Sequence, residues 1–217
     1  MRGFIAAIVL VFALIGCSGL PSPEIKKLST DEETSKIGAD DWPMWRGPNA
    51  DGVAVSSSVP TKWSETENVV WKTAIPGRGH SSPVLVGDAI YLETADEEAK
   101  VQSVRCISRR NGQLIWQTPL FRENFDPDLH AENTHASSTV ASDGERAYAV
   151  FLNDHKVCAT ALNLNGQVAW QVEAGGFRSK FGYSASPTLY KSLVLLAVDH
   201  WDGGYVTVLN RHDGTIV

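Results

Sequence analysis

The amino-acid sequence predicts an all-β fold, a β-propeller of four-stranded antiparallel blades with about three blades present. Three observations predict it. A turn-and-tryptophan pattern recurs as Asn111-Gly112 before Trp116, Asn165-Gly166 before Trp170, and Asp213-Gly214 near the end, its glycines 54 and 48 residues apart. A second marker keeps step with the first: Ser81-Ser82-Pro83-Val84, Ser137-Ser138-Thr139-Val140 and Ala185-Ser186-Pro187-Thr188. Between the markers lie short runs rich in Val, Ile, Leu, Tyr and Trp and bounded by Gly, Asp or Asn, and no segment has a helical period.

Taken in order, residues 1–16 predict a signal peptide. Arg2 supplies a positive start, and Phe4 to Ile15 is an unbroken apolar run of 12, short for a membrane span but suited to an export signal. The end, Leu14-Ile15-Gly16-Cys17, resembles a bacterial lipobox, which implies cleavage before Cys17 and a lipid on its sulfur; a plain secretory signal with a chance cysteine is the other reading. Residues 17–40 are polar and carry no aromatic, the composition of a flexible tether. Residues 41–217 form the partial propeller. The expected location is therefore outside the cytoplasm, in the cell envelope on the periplasmic side of a membrane.

In the first repeat the strands read SSPVLVG, AIYLETA, VQSVRCIS and QLIWQTPL; in the second SSTVAS, RAYAVFLN, KVCATALNL and QVAWQVEA; in the third ASPTLY, SLVLLAVD, GYVTVLNR and the start of a fourth, TIV. A four-stranded sheet cannot bury both faces alone, so blades must stack around an axis. The Trp at the end of each fourth strand, Trp116 and Trp170, is expected to pack between neighbours, where a large ring buries about 150–250 Å². The earlier run Asn68–Ile75 reads as one more fourth strand, without three others before it.

Composition narrows the function. Of 217 residues 43% are hydrophobic, with seven Trp and seven Phe, which excludes a disordered chain. A net charge of −6 without basic clusters argues against nucleic acid as a partner. Cys106 and Cys158 fall on equivalent third strands, about two residues out of step; buried small apolar residues or a disulfide between blades both fit. His130-x-Glu132-x-x-His135 lies in a long link with nothing to fix its spacing, so loop solvation is favoured over zinc and no metal is expected.

Candidate binding residues come from position. His80, Ser81 and Ser82, then His135, Ser137 and Ser138, then Tyr183 and Ser184 all stand at the entry to the first strand of a repeat, the innermost strand of a propeller blade. They suit either a polar ring at the channel mouth or the satisfaction of backbone groups at the blade entrance. Asp199, His200 and Trp201 form a polar and aromatic hairpin tip suited to contacts.

The unit Ala161-Leu162-Asn163, Gly166 and Trp170 is similar to the repeat of pyrroloquinoline-quinone-like β-propellers. The opening Asp41-Trp42-Pro43-Met44-Trp45-Arg46-Gly47-Pro48, with Asp51-Gly52-Val53 and Trp71-Lys72, resembles the start of bacterial secreted members of that group. The resemblance covers Asp41 to Val217 and implies a seven- or eight-bladed ring, of which this chain is a part. The family holds quinone-dependent alcohol dehydrogenases and a non-catalytic lipoprotein of outer-membrane assembly. Dehydrogenases of this kind use adjacent cysteines in a disulfide, a tryptophan platform, a Ca²⁺ and an Asp base; no adjacent cysteine pair and no calcium loop stands in this sequence. No catalytic residue and no cofactor is therefore expected. The favoured expectation is a lipid-anchored module that binds a protein or polymer of the cell envelope. A fragment of an alcohol or sugar dehydrogenase using the quinone and Ca²⁺ is the alternative.

Overall fold

The computed structural model describes residues 36–217 except 56–58, 128 and 202. The signal peptide, Cys17 and most of the expected tether lie outside the described residues. Every regular element among the described residues is a strand, and no helix there is long and apolar enough to cross a membrane.

Three antiparallel sheets follow one another along the chain. The first blade is β1 (Val84–Val86), β2 (Ala89–Asp96), β3 (Val101–Ser108) and β4 (Leu114–Arg122). The second is β5 (Ala141–Ser142), β6 (Arg146–Asn153), β7 (Lys156–Asn163) and β8 (Val168–Gly176). The third is β9 (Thr188–Tyr190), β10 (Leu193–Val198) and β11 (Tyr205–Asn210). Leu209 and Ile216 form a bridge where a fourth strand begins. Each sheet is a simple meander, as consecutive runs joined by tight turns require.

Register shows how closely the units repeat. Tyr91, Cys106 and Trp116 lie side by side across the first blade, and Tyr148, Ala161 and Trp170 across the second. Both blades break register at the same two places, after Gln102 and Cys106 in β3 and after Val157 and Ala161 in β7. Such bulges increase local twist, as a blade's outer strand needs.

The core lies between blades. Val84, Tyr91, Val104, Cys106, Val140, Ala149, Phe151 and Leu162 fill the space between the first two. Tyr148, Val150, Val157, Ala161, Val194, Leu196 and Leu209 fill the next. Fully buried Gln102 ties the first pair together: its amide nitrogen donates to the carbonyls of His135 (2.8 Å) and Leu152 (3.0 Å), and its oxygen accepts from Asn153.

The tryptophans pack between blades as expected, but they stand near the start of the outer strand, not its end: Trp116 is the third residue of β4 and Trp170 the third of β8. Trp116 donates from Nε1 to the Leu164 carbonyl (2.8 Å) of the next blade, and Trp170 to that of Arg211 (3.0 Å). Asn68–Ile75 forms no ladder. A fourth strand needs a third to pair with, and among the described residues none lies beside it. Its side chains dock all the same. Trp71 donates to the Arg109 carbonyl (2.9 Å) and Thr73 to that of Gly112 (2.6 Å), as Thr118 donates to that of Gly166 (2.6 Å).

The register also corrects the spacing of the cysteines. Cys106 matches Ala161, so Cys158 is three positions out of step rather than two. Both are buried free thiols. Burial pushes the Cys106 thiol up to about 12 and that of Cys158 to about 11. Because the thiolate is the reactive form, both should resist alkylation by iodoacetamide at pH 8 in the native chain and react together once urea unfolds it. Mass spectrometry after a timed pulse checks this.

Candidate functional site

In a meander blade, successive turns alternate between the two ends of the sheet. The hairpins joining second to third strands therefore share one face of the propeller with the links between blades. Hairpins joining first to second and third to fourth strands occupy the other. The N-terminal segment binds that other face and the inner edge: Lys36 pairs with Glu145 (2.8 Å), Asp41 accepts from the backbone of Gly87 (2.9 Å), and Trp42 bridges Leu85 beside β1. The chain thus enters on the face opposite the links.

Most blade-entry residues contact neighbouring backbone. The backbone nitrogens of His80 and Ser81 donate to the Ala136 carbonyl. Ser81 Oγ accepts from the Glu93 nitrogen (3.0 Å). The Ser82 nitrogen donates to Thr139 Oγ1 (3.1 Å), and the Thr139 nitrogen to Ser186 Oγ (3.0 Å), a relay across three blades. Buried Ser138 donates to the Ala185 carbonyl (2.9 Å). Ser137 engages Asn133 and Thr134. Tyr183 is buried, donates to the Ala197 carbonyl (3.1 Å), and meets Phe177 edge-on; burial pushes its hydroxyl well above the usual tyrosine range. The His80 and Ser184 side chains are exposed.

His135 is held at both ring nitrogens. Nδ1 lies 2.9 Å from Glu97, Nε2 lies 3.1 Å from the Asp126 carbonyl oxygen, and the ring stacks on Phe125 at 4.3 Å. His130 Nδ1 accepts from the Glu132 backbone, so the two histidines turn to different partners.

The link face brings together residues that no local pattern unites. Asp126 and Pro127 come from the link after β4, His155 from the β6–β7 turn, Arg178, Ser179 and Lys180 from the link after β8, and Trp201 from the β10–β11 hairpin. They line a cleft of about 880 Å³. Buried Asp126 holds exposed His155 at 2.9 Å. Lys180 Nζ lies 5.2 Å from the Phe181 ring centre and 5.6 Å from that of Trp201. Phe181 meets Trp201 edge-on, and His200 sits between Phe177 and Tyr205. Asp199, beside Gly204, is exposed at the same tip. Of the sequence candidates, Trp201 lines this cleft, while Arg178, Lys180, His155 and Asp126 were not among them. The available signal was that both links following a fourth strand carry charged and aromatic residues.

The three blade tryptophans are taken up by the seams between blades. Cys106 and Cys158 lie on different blades, and the blade tryptophans turn one ring face onto glycine: a Cβ on Gly112, Gly166 or Gly214 would fall within 3 Å of Trp71, Trp116 or Trp170.

Repeated four-stranded blades locked by tryptophan on glycine define a pyrroloquinoline-quinone-like β-propeller repeat protein. The chain belongs to the family described as outer membrane protein assembly factor BamB, which matches residues 50–171 and 100–217. No curated protein matches it by sequence. Among solved structures it is similar to a quinohemoprotein alcohol dehydrogenase from Comamonas testosteroni, with TM-score 0.57 and 17% identity over 82% of this chain and 26% of that one. It also resembles BamB from Moraxella catarrhalis (TM-score 0.47, 11% identity, 68% of this chain and 41% of that). Quinohemoprotein alcohol dehydrogenase ADHIIG from Pseudomonas putida HK5 aligns with TM-score 0.47 and 21% identity over 68% and 21%. The chain spans less than half the length of each.

Proposed function

We propose that the chain is part of an exported propeller, anchored to a cell-envelope membrane by a lipid on Cys17, that binds a protein or polymer partner there without performing a reaction. One observation carries this reading. The polar groups at the blade entrances are largely committed to neighbouring blades, while exposed charged and aromatic side chains gather in one open cleft on the link face. The cleft and the described start of the N-terminal segment, where Lys36 pairs with Glu145, lie on opposite faces, so an anchor on that side does not cover the cleft. The family's name, an assembly factor for outer-membrane proteins, supports an envelope setting and a protein partner.

The test uses the full chain expressed in a bacterial host. Cys17→Ser should move it from the membrane fraction to the soluble exported fraction, and cross-linking in intact cells should recover one envelope component reproducibly. An unmoved variant removes the anchor. Reduction of a dye by alcohols or sugars, once pyrroloquinoline quinone and Ca²⁺ are added, would replace the binding reading with the dehydrogenase alternative.

A further inference from the structure

We infer that Asn111, at the tip of the β3–β4 turn, is a site of spontaneous covalent modification, converting through a cyclic imide to aspartate and isoaspartate at a rate set by the segment docked over the turn. The inference concerns the seam at the first blade and stands apart from the binding reading. The chemistry belongs to an asparagine followed by glycine. The Gly112 nitrogen attacks the side-chain carbonyl carbon of Asn111 and gives up its proton to solvent. A bond forms between that nitrogen and Cγ, the bond from Cγ to Nδ2 breaks, and ammonia leaves. Water then opens the five-membered ring at either carbonyl, giving aspartate or isoaspartate. Water is the single co-reactant. Glycine leaves its nitrogen open to the approach because it carries no Cβ.

Two turns carry this reactive pair in the same setting. Asn111-Gly112-Gln113 and Asn165-Gly166-Gln167 match residue for residue. Both asparagines are exposed and both glycines are buried. Asn111 Oδ1 accepts from the Gln113 nitrogen (3.0 Å), and Asn165 Oδ1 from that of Gln167 (3.1 Å). The attacking nitrogens are held alike: Gly112 donates to the Ser108 carbonyl and Gly166 to that of Asn163, both at 2.9 Å. Attack requires that bond to break and the glycine to rotate, so each turn must open before it reacts.

What differs is the cover. Trp71 and Thr73 lie over Gly112, as Trp116 and Thr118 lie over Gly166. Each threonine donates to the glycine carbonyl at 2.6 Å. Trp116 and Thr118 belong to β4, which pairs with β3 from Leu114 to Arg122. Trp71 and Thr73 belong to Asn68–Ile75, which has no ladder partner among the described residues. Lifting the first cover breaks side-chain contacts, whereas lifting the second strips a strand from its blade. A reaction slower than opening follows the population of the open form, so Asn111 reacts first. The third turn shows which product the fold accepts. Asp213 stands at the equivalent position, and its Oδ1 accepts from the Thr215 nitrogen (2.9 Å). Aspartate at position 111 therefore keeps the turn. Isoaspartate adds a carbon to the main chain beneath Trp71 and lifts Asn68–Ile75 from its seat.

The test incubates the purified full chain in detergent at pH 8, folded or in urea. Peptide mapping by mass spectrometry follows both asparagines, and isoaspartyl methyltransferase labelling detects the second product. Each rate in the folded chain is divided by the rate of the same residue in urea, which removes the effect of the preceding residue. The ratio for Asn111 should exceed that for Asn165 by about tenfold or more. Trp71→Ala should speed Asn111 further and leave Asn165 unchanged. Thr73→Val, which removes one hydrogen bond, should act in the same direction to a smaller extent, and circular dichroism checks that both variants fold. Asn111→Asp should keep the urea midpoint of the native chain. Equal ratios, a larger ratio for Asn165, no conversion of Asn111 in the folded chain, or a Trp71→Ala chain in which Asn111 reacts no faster would overturn the inference.

Discussion

Replacing Trp116 by alanine is expected to destabilise the chain by about 3 kcal/mol, and replacing Gly166 by alanine by about 2 kcal/mol or more, although the second change adds only a methyl group. Trp116 fills the seam between the first two blades, tilts against Tyr91 with ring centres 5.9 Å apart, and donates to the Leu164 carbonyl. Its removal empties the seam and leaves that carbonyl without the indole donor. Gly166 lies beneath the same ring with φ +83°; a Cβ there would fall 2.7 Å from Trp116 Cδ2 and 3.0 Å from Thr118 Oγ1. The left-handed backbone costs about 1 kcal/mol for any side chain, and the rest comes from pushing the ring off its seat. Gly87→Ala separates the two contributions. Its φ is +58° and nothing lies within 4 Å of its added Cβ, so it should cost only the backbone part. In a Trp116→Ala background, the cost of Gly166→Ala should fall toward the Gly87→Ala value, because the ring is gone and only the Thr118 hydroxyl, 3.0 Å from the added Cβ, is left to give way. Urea denaturation of the four variants measures this. If the two effects simply add to within about 0.5 kcal/mol, the glycine is not there for the tryptophan.

The seam explains what was legible in the sequence. The glycine and the tryptophan of each repeat are separated within one unit but meet in the next: Gly112 receives Trp71, Gly166 receives Trp116 and Gly214 receives Trp170. Both residue types recur because one contact demands both, so the repeat, the blades and the all-β fold could be read from spacing alone. Asn68–Ile75 carries the docking half of that signal, Trp71 and Thr73, without the pairing half, which depends on a neighbouring strand. The cleft was less legible for a related reason. Asp126, His155, Arg178 and Trp201 sit on four connections of different length, and only the alternation of turns between the two ends of each blade brings them to one face. Glu93 lies between these cases. Within Ala-Ile-Tyr-Leu-Glu-Thr-Ala it interrupts the apolar positions that alternate toward the core, a break visible in the sequence. Its partner, the backbone nitrogen of Val150, belongs to the next blade and carries no sequence mark.

Glu93→Gln is expected to make the chain more stable at neutral pH and to leave it nearly unchanged near pH 4. Glu93 is 1% exposed. Its Oε1 accepts from the Val150 nitrogen at 3.0 Å, and its Oε2 meets no hydrogen-bond partner. Burial pushes its carboxyl well above the ordinary glutamate value of 4.5, outweighing the bond from Val150 that favours the charged form. The folded chain therefore holds this proton where the unfolded chain has released it. As pH rises above 4.5 the unfolded state gains from ionisation while the folded state does not, and stability falls by somewhat over 1 kcal/mol per pH unit until the folded value is reached. Glutamine keeps an acceptor for Val150 and cannot ionise, so it removes the slope. Glu145 and Asp213, held low by Lys36 and by Thr215, act in the opposite direction, strengthening the fold above their unfolded values, but both are exposed and screened by solvent. Glu93→Ala provides the contrast: it abolishes the slope, but it also leaves the Val150 nitrogen without an acceptor and opens a void between the blades, so it should be less stable than Glu93→Gln at every pH. Urea midpoints between pH 4 and 8 decide the matter. Parallel curves for the native chain and Glu93→Gln would mean that Glu93 is ionised in the fold, which would require a cation or donor beside Oε2.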